Sequence, residues 1–386
     1  MSDKKSVVFE TKLTPEETLE ITNRLIGFYD NLETIQDYFL ARKKEKVENI
    51  DHEKYAAMMF DKFDMEPKDM NISIEVIDGK LFNPAVQIIT SLPLESQIGR
   101  QIMLGVKETT TNKWIGFIRL ASPVLSIKPR NELFGDMRVT ANEVNKFMIN
   151  GAIIVPVQPF GYNYLGGKLL SLICCSHEIR ELLKEKYGEK IDTVFMETTS
   201  LYGDIKGMSQ YDGLKPFVRY GSMTESDIFL FPGDEVYDSI RSFMRGHYGN
   251  PEWGGSIVDP GPSGPKMREF NKILSILKNH LKVQHPLKFK EFSDFTQTHM
   301  KAKTKKRYYY CTYGYENVFQ YIASNGTIDL IKKDNYDNYH LNNLIQWWKN
   351  KAQNRFQKLK DEARVRTEIE IYTPETIEAG KIDMVR

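Results

Sequence analysis

The sequence predicts an α/β (α+β) protein: a mixed sheet flanked by helices, preceded by N-terminal helices and followed by a basic, mostly helical C-terminal region. Three observations carry this. Apolar residues recur at helical spacing over residues 14–62, the period drops to two after Asn71, and positive charge gathers in residues 266–366.

The N-terminal 70 residues are expected to be a helical segment. Thr14-Pro15-Glu16-Glu17 combines a hydroxyl cap, a proline in the first turn and acids at the positive helix end. Ile72, Ile74 and Val76 then alternate with polar residues, and Asp78-Gly79 reads as a hairpin-type turn. Residues 102–108 and 114–121 are expected to pair as an antiparallel hairpin. The stretch around Pro129-Arg130-Asn131 is polar, and 141–149 reads as a short helix. GAIIVPV (151–157) is apolar on both parities, as a central strand covered on both faces should be. A glycine-bearing turn (161–167), one helix over 168–186 ending at Gly188, and a strand over 192–198 follow. A helix is expected over 235–245. PGPSGP (260–265) is the best linker, and helices over 266–283 and 341–362 flank a basic, tyrosine-rich segment.

The chain has 386 residues, 41% hydrophobic, which is enough for a large core and for two or three domains. Its longest apolar runs fall far short of the roughly 20 residues a bilayer span needs, and MSDKKSVVFE lacks the apolar centre of a signal peptide. These features imply a soluble, cytoplasmic protein (in the host-cell cytoplasm if phage-encoded) with no membrane partner. Cys174 and Cys175 are adjacent and Cys311 is remote, so all three read as reduced thiols. Neither they nor the seven scattered histidines suggest a metal site. Charge is uneven. Residues 266–366 carry 21 Lys+Arg against 9 Asp+Glu, a net of +12, which leaves −11 for the rest of a chain whose total is +1. A one-sign block of domain size suggests a polyanionic partner.

Ile153 to Ile173, IIVPVQPFGYNYLGGKLLSLI, joins a buried strand, a turn with three glycines and a helix. Small residues at a helix N-terminus let main-chain amides approach phosphate oxygens closely. The order of elements and the "V-x-P", glycine-turn and "G-K-L-L" features resemble the GNAT N-acyltransferase superfamily. Aligning Gly167 with the last position of that family's Arg/Gln-x-x-Gly-x-Gly/Ala turn puts Tyr162 and Leu165 where Arg or Gln and the first Gly are usual. The resemblance implies acyl-CoA as cofactor, held by Val155, Val157, Tyr162, Asn163, Gly166, Gly167 and Lys168. It also implies a GNAT-like domain over 71–258. Gly116-Phe-Ile-Arg-Leu-Ala-Ser-Pro123, Asn163-Tyr-Leu-Gly-Gly167 and Glu197-Thr-Thr-Ser-Leu-Tyr-Gly203 are similar to the A-component family of the Druantia anti-phage system and to uncharacterised proteins of T-even-like phages. Mom-type DNA-modifying acyltransferases look like distant relatives.

Acyl transfer to an amine needs a base and a proton donor for the thiolate. Glu197, at the end of the strand after the turn and helix, is the candidate base, and Tyr202 the candidate donor. Tyr211 and Asp212 are further candidates. Each has a bland alternative: Glu197 bonded to Thr198, Ser200 or a lysine, and Tyr202 a packing residue. Arg119, on an expected strand, is read as paired or pointing to solvent. In the basic domain (266–366, with 367–386 as a tail), Lys301, Lys303, Lys305, Lys306 and Arg307 precede a tyrosine run that includes Tyr309. Lys349 and Arg355 lie on a later helix. Clustered cations neutralise phosphates and aromatics stack on unpaired bases, so nucleic acid is the expected partner. The leading expectation is an acyltransferase-like protein acting on or near nucleic acid. The alternative is a non-catalytic nucleic-acid- or host-factor-binding protein on a degenerate GNAT-like scaffold.

Overall fold

The computed structural model describes residues 12–380 except Asn31, 96–98, 201–208 and 261–264. Its contacts group into two units, each made of two chain segments: 1–45 with 227–303, and 46–226 with 304–386.

The second unit is built on a sheet. The strands of that sheet are β1 (Ile72–Val76), β2 (Gln101–Glu108), β3 (Lys113–Ala121), β4 (Met148–Pro156), β5 (Phe195–Ser200), β6 (Arg219–Phe229) and β7 (Lys301–Cys311), in the order β1-β2-β3-β4-β5-β7-β6, with 227–229 of β6 and 301–303 of β7 belonging to the first unit. The expected hairpin is present: β2 and β3 pair antiparallel, with Leu104 opposite Ile118. β4 pairs antiparallel with β3 and parallel with β5, and β5 pairs antiparallel with β7. The β4–β5 pairing covers only Met148–Phe195, Ile149–Met196 and Asn150–Glu197. Beyond it Thr198 Oγ1 donates to Gly151 O at 2.8 Å, and Gln210 Nε2 to Ile154 O at 3.1 Å.

The sheet is covered on both faces, which explains why its central strands are apolar on both parities. On one face Phe82, Ala85 and Val86 of helix Gly79–Ile89 pack with Trp114 and Phe117. On the other, Leu169, Leu170 and Ile173 of helix Gly166–Cys174 meet Ile118, Leu120 and Phe160, joined by Trp348 and Phe356 of helix Leu341–Asp361.

Three local expectations change. Asp78-Gly79 is not a hairpin turn but a helix start, because the Asp78 carboxylate accepts from Leu81 N at 2.9 Å. The single helix over 168–186 is two, Gly166–Cys174 and His177–Tyr187, since Ser176 caps the second by accepting from Ile179 N. The polar stretch at Pro129 is helix Lys128–Phe134, with proline in its first turn. Thr14 does cap helix Pro15–Tyr29, in a full capping box with Glu17. Most of the expected linker lies outside the described residues, and helix Pro265–Gln284 begins at its last proline.

The first unit is helical. Leu25 and Tyr29 pack with Ile240, Met244, Phe270, Leu277 and Phe292. Within it Arg42 is fully buried and bonds Glu45 and Asp234, while buried Glu269 holds Arg241 and Arg245.

Gly116 marks the tightest sheet–helix contact. A Cβ there would lie 2.6 Å from Leu170 Cδ1 and 2.9 Å from Val155 O. Exposed Gly27, inside helix Pro15–Tyr29, has nothing within 4 Å of an added Cβ. Gly116→Ala is therefore expected to destabilise by about 1–3 kcal/mol, and Gly27→Ala to stabilise by about 0.4–1 kcal/mol. Shifts of the urea midpoint in opposite directions are the check.

Candidate functional site

Glu197 lies on β5, where it faces Asn150 of β4 and Tyr310 of β7. It is 3% exposed. Two groups meet its carboxylate: Arg130 Nη1 donates to Oε1 at 2.8 Å, and Tyr308 Oη donates to Oε2 at 2.7 Å. Arg130 comes from helix Lys128–Phe134, and its second nitrogen donates to Leu125 O at 2.8 Å. Tyr308 is brought in by the β5–β7 register, in which it pairs with Thr199. Gly221 of β6 gives the Tyr308 ring room, since a Cβ there would stand 2.8 Å from Cδ1.

Glu197 and Tyr308 line a cavity of about 260 Å³, together with Lys128, Asn150, Thr199, Glu225 and Lys306. The electrostatics follow from burial. Desolvation holds the Glu197 carboxyl above the usual carboxylate range, although Arg130 and Tyr308 favour its charged form. Burial likewise pushes the Tyr308 phenol up, and the adjacent Glu197 adds to this. Desolvation holds the Lys306 amine below the usual lysine range. A carboxyl whose proton affinity is raised and an amine whose proton affinity is lowered line one cleft, a pairing that suits acid–base chemistry.

The other expected residues are spread more widely. Tyr202 falls outside the described residues. The turn at 161–167 contains helix Phe160–Tyr164 and a left-handed Leu165 at φ 55°. Its glycines serve close packing within the protein: a Cβ on Gly166 would meet Phe160 Cδ1 at 2.7 Å, and one on Gly167 would meet Gln210 Oε1 at 2.3 Å. Lys168 donates to the Asp212 and Gln210 carbonyls. Asn163 is buried and exchanges two hydrogen bonds with the Arg366 backbone. Val157 is buried, with its N–H on Ile115 O at 2.9 Å, and Val155 pairs with Phe117. Tyr162 lies under Arg355 and Arg366, at 4.9 and 4.0 Å from its ring centroid.

Of the basic set, Lys305, like Lys301 and Lys303 in the helical unit, is exposed. Arg307 and the buried Tyr309 are both engaged by Asp212, at 2.8 and 2.9 Å. Lys349 donates to Lys68 O at 3.1 Å. Tyr211 is buried with its hydroxyl 3.3 Å from Thr198 Oγ1. Cys174, Cys175 and Cys311 are free and buried. Among the described residues no group of three or more His, Cys, Asp or Glu is placed to hold a metal, and no helix is long and apolar enough to cross a membrane.

Glu197 and Lys306 thus come together at one cleft, from two sets assigned separate roles. Tyr308 lines it as well, and Arg130 is paired with Glu197. Tyr308 carried a usable signal, because it stands two residues from Lys306 in an alternating strand. Arg130 carried none, since its partner is 67 residues away.

No solved structure matches. The protein described as "Druantia protein DruA" from Escherichia coli (strain UMEA 4076-1) is 25% identical over 180 residues, which cover 43% of this chain and 44% of that protein; the match therefore spans less than half of the curated relative. The family profile described as Druantia protein DruA matches residues 29–253, more than half of the chain, and so the chain belongs to the Druantia DruA family.

Proposed function

We propose that this chain acts in anti-phage defence as a group-transfer protein working on or near nucleic acid, with Glu197 as its acid–base residue. The observation that carries the reading is the buried Glu197 carboxyl, bonded by Arg130 and Tyr308 and lining a cleft that Lys306 also lines. In this reading the ionised Glu197 takes the proton of an incoming amine as its nitrogen bonds the acyl carbon, the carbon–sulfur bond breaks, and the proton passes from Glu197 to the leaving thiolate; the raised proton affinity makes Glu197 a better base near neutral pH.

The strand order supports a GNAT-like scaffold: β4 and β5 run parallel and part after three pairs, while the strands before them are antiparallel. That likeness makes an acyl group from acyl-CoA the candidate for transfer. The filled glycine turn counts against a diphosphate at Gly166 and Gly167, so the donor in this reading enters from the Glu197 cleft. The same filled turn favours a second reading, a non-catalytic protein that docks nucleic acid or a host factor. The cytoplasm is the compartment both readings imply.

Nucleic-acid contact is tested by measuring duplex and single-strand DNA or RNA binding against salt. The triple variant Lys301→Ala, Lys303→Ala, Lys305→Ala should weaken binding uniformly across sequences and flatten the log–log salt slope by about 3. Absence of binding at low salt removes this part of the reading. Calorimetry with acetyl-CoA separates the two readings, since the docking protein should show no heat at millimolar ligand. The site's electrostatics can be read directly by competitive acetic anhydride labelling. Burial penalises the Lys306 ammonium, so its labelling midpoint should fall at a lower pH than the ordinary lysine value of about 10.4. Finally, Glu197→Ala leaves Arg130 buried without its partner and should destabilise by about 3–5 kcal/mol. The double variant Glu197→Leu, Arg130→Met should cost far less.

A further inference from the structure

A second cavity, of about 430 Å³, lies over β2 and β3 beside helix Gly79–Ile89. Arg119, which the sequence leaves as paired or pointing to solvent, is 4% exposed and lines this cavity. Its Nη2 donates to Asn83 Oδ1 at 2.8 Å and its Nη1 to Glu95 O at 3.4 Å, while Nε–H meets no acceptor among the described residues. One flank of the guanidinium lies over the Phe82 ring, 4.9 Å from the centroid. Both hydrogen-bond partners are neutral groups, and Arg119 forms no ion pair among the described residues.

A guanidinium is built to meet a planar or tetrahedral anion with two parallel hydrogen bonds. Leaving such a charge buried without an anion is costly, and burial already holds its proton affinity below the usual arginine range. The remaining lining suits a small ligand body. Lys46, Gln87 and Gln101 add polar groups, Glu95 adds one acidic residue, and Pro84, Leu94 and Met103 add apolar surface. The volume falls within the range of ligand pockets, roughly 300–1,000 Å³.

We propose that this cavity binds a small organic anion, a carboxylate or a phosphate monoester on a compact apolar or planar body, anchored by the guanidinium of Arg119. Asn83 fixes the orientation of the guanidinium, and Phe82 supports its face. The site is separate from the Glu197 cleft and stands whether or not that cleft is catalytic.

Isothermal calorimetry on the full chain tests this with two arms: dAMP and inorganic phosphate in one, benzoate and acetate in the other. Saturable binding is expected in one arm, and which arm responds identifies the anion. Asn83→Asp puts a carboxylate beside the guanidinium. It should raise the melting temperature of the unliganded protein and weaken the responding ligand at least tenfold. Arg119→Met should abolish binding, and Lys184→Gln, on an exposed helix face, should leave it unchanged. If Arg119→Met does not fold, Asn83→Asp decides. The proposal is overturned if neither arm binds the wild-type chain, or if affinity is unaltered by Asn83→Asp.

Discussion

A carboxylate and a guanidinium removed from water together constrain everything near them. Neither Glu197 nor Arg130 could be buried alone, because the desolvation of one charge is offset only by the field of the other and by hydrogen bonds to the remaining lone pairs. Tyr308 and the Leu125 carbonyl provide those bonds. The requirement fixes three separate pieces of backbone at once: the middle of β5, the register of β7 against it, and helix Lys128–Phe134. Once they are fixed, the cleft that Glu197 lines is defined, and Lys306 is delivered to it by the same strand that delivers Tyr308.

The basic segment shows how position in the fold divides a charge cluster. Along β7 the lysines at 301, 303 and 305 stay exposed, as period-two alternation requires. The next residues enter the packed part of the sheet, and there Arg307 and Tyr309 turn to Asp212 while Tyr308 turns to Glu197. A run that looks uniform in sequence therefore serves two ends, a solvated row of cations and an internal polar network. Arg355 likewise packs on Tyr162 rather than standing free.

Much of the fold was legible because its signals are local. The cap at Thr14, the β2–β3 hairpin, the doubly apolar β4 and the two long C-terminal helices each depend on residues a few positions apart. The errors share a cause of the opposite kind. Asp78-Gly79 is compatible with a turn or a helix cap, and only the apolar face of Phe82, Ala85 and Val86, pressed on Phe117, decides. A glycine-bearing turn such as 161–167 is compatible with room for a ligand or for a neighbouring side chain, and here Phe160 stands beside Gly166 and Gln210 beside Gly167. Glu197 and Lys306 could be singled out from sequence, but Arg130 and Arg119 could not. Their meaning lies in what they do or do not meet across the sheet, and no pattern along the chain encodes that.

Each compact unit draws on two distant stretches of chain, and this bears on the order of events at the ribosome. Strand β5 can leave the exit tunnel long before β7, its antiparallel neighbour, has been made. Until then a sheet edge with unpaired amides stands open, and the apolar residues destined to meet Trp348 and Phe356 have no cover. Non-local closure of this kind is slow and exposes sticky intermediates. Nascent chains of this protein should accordingly lean on chaperones until the last third has been translated.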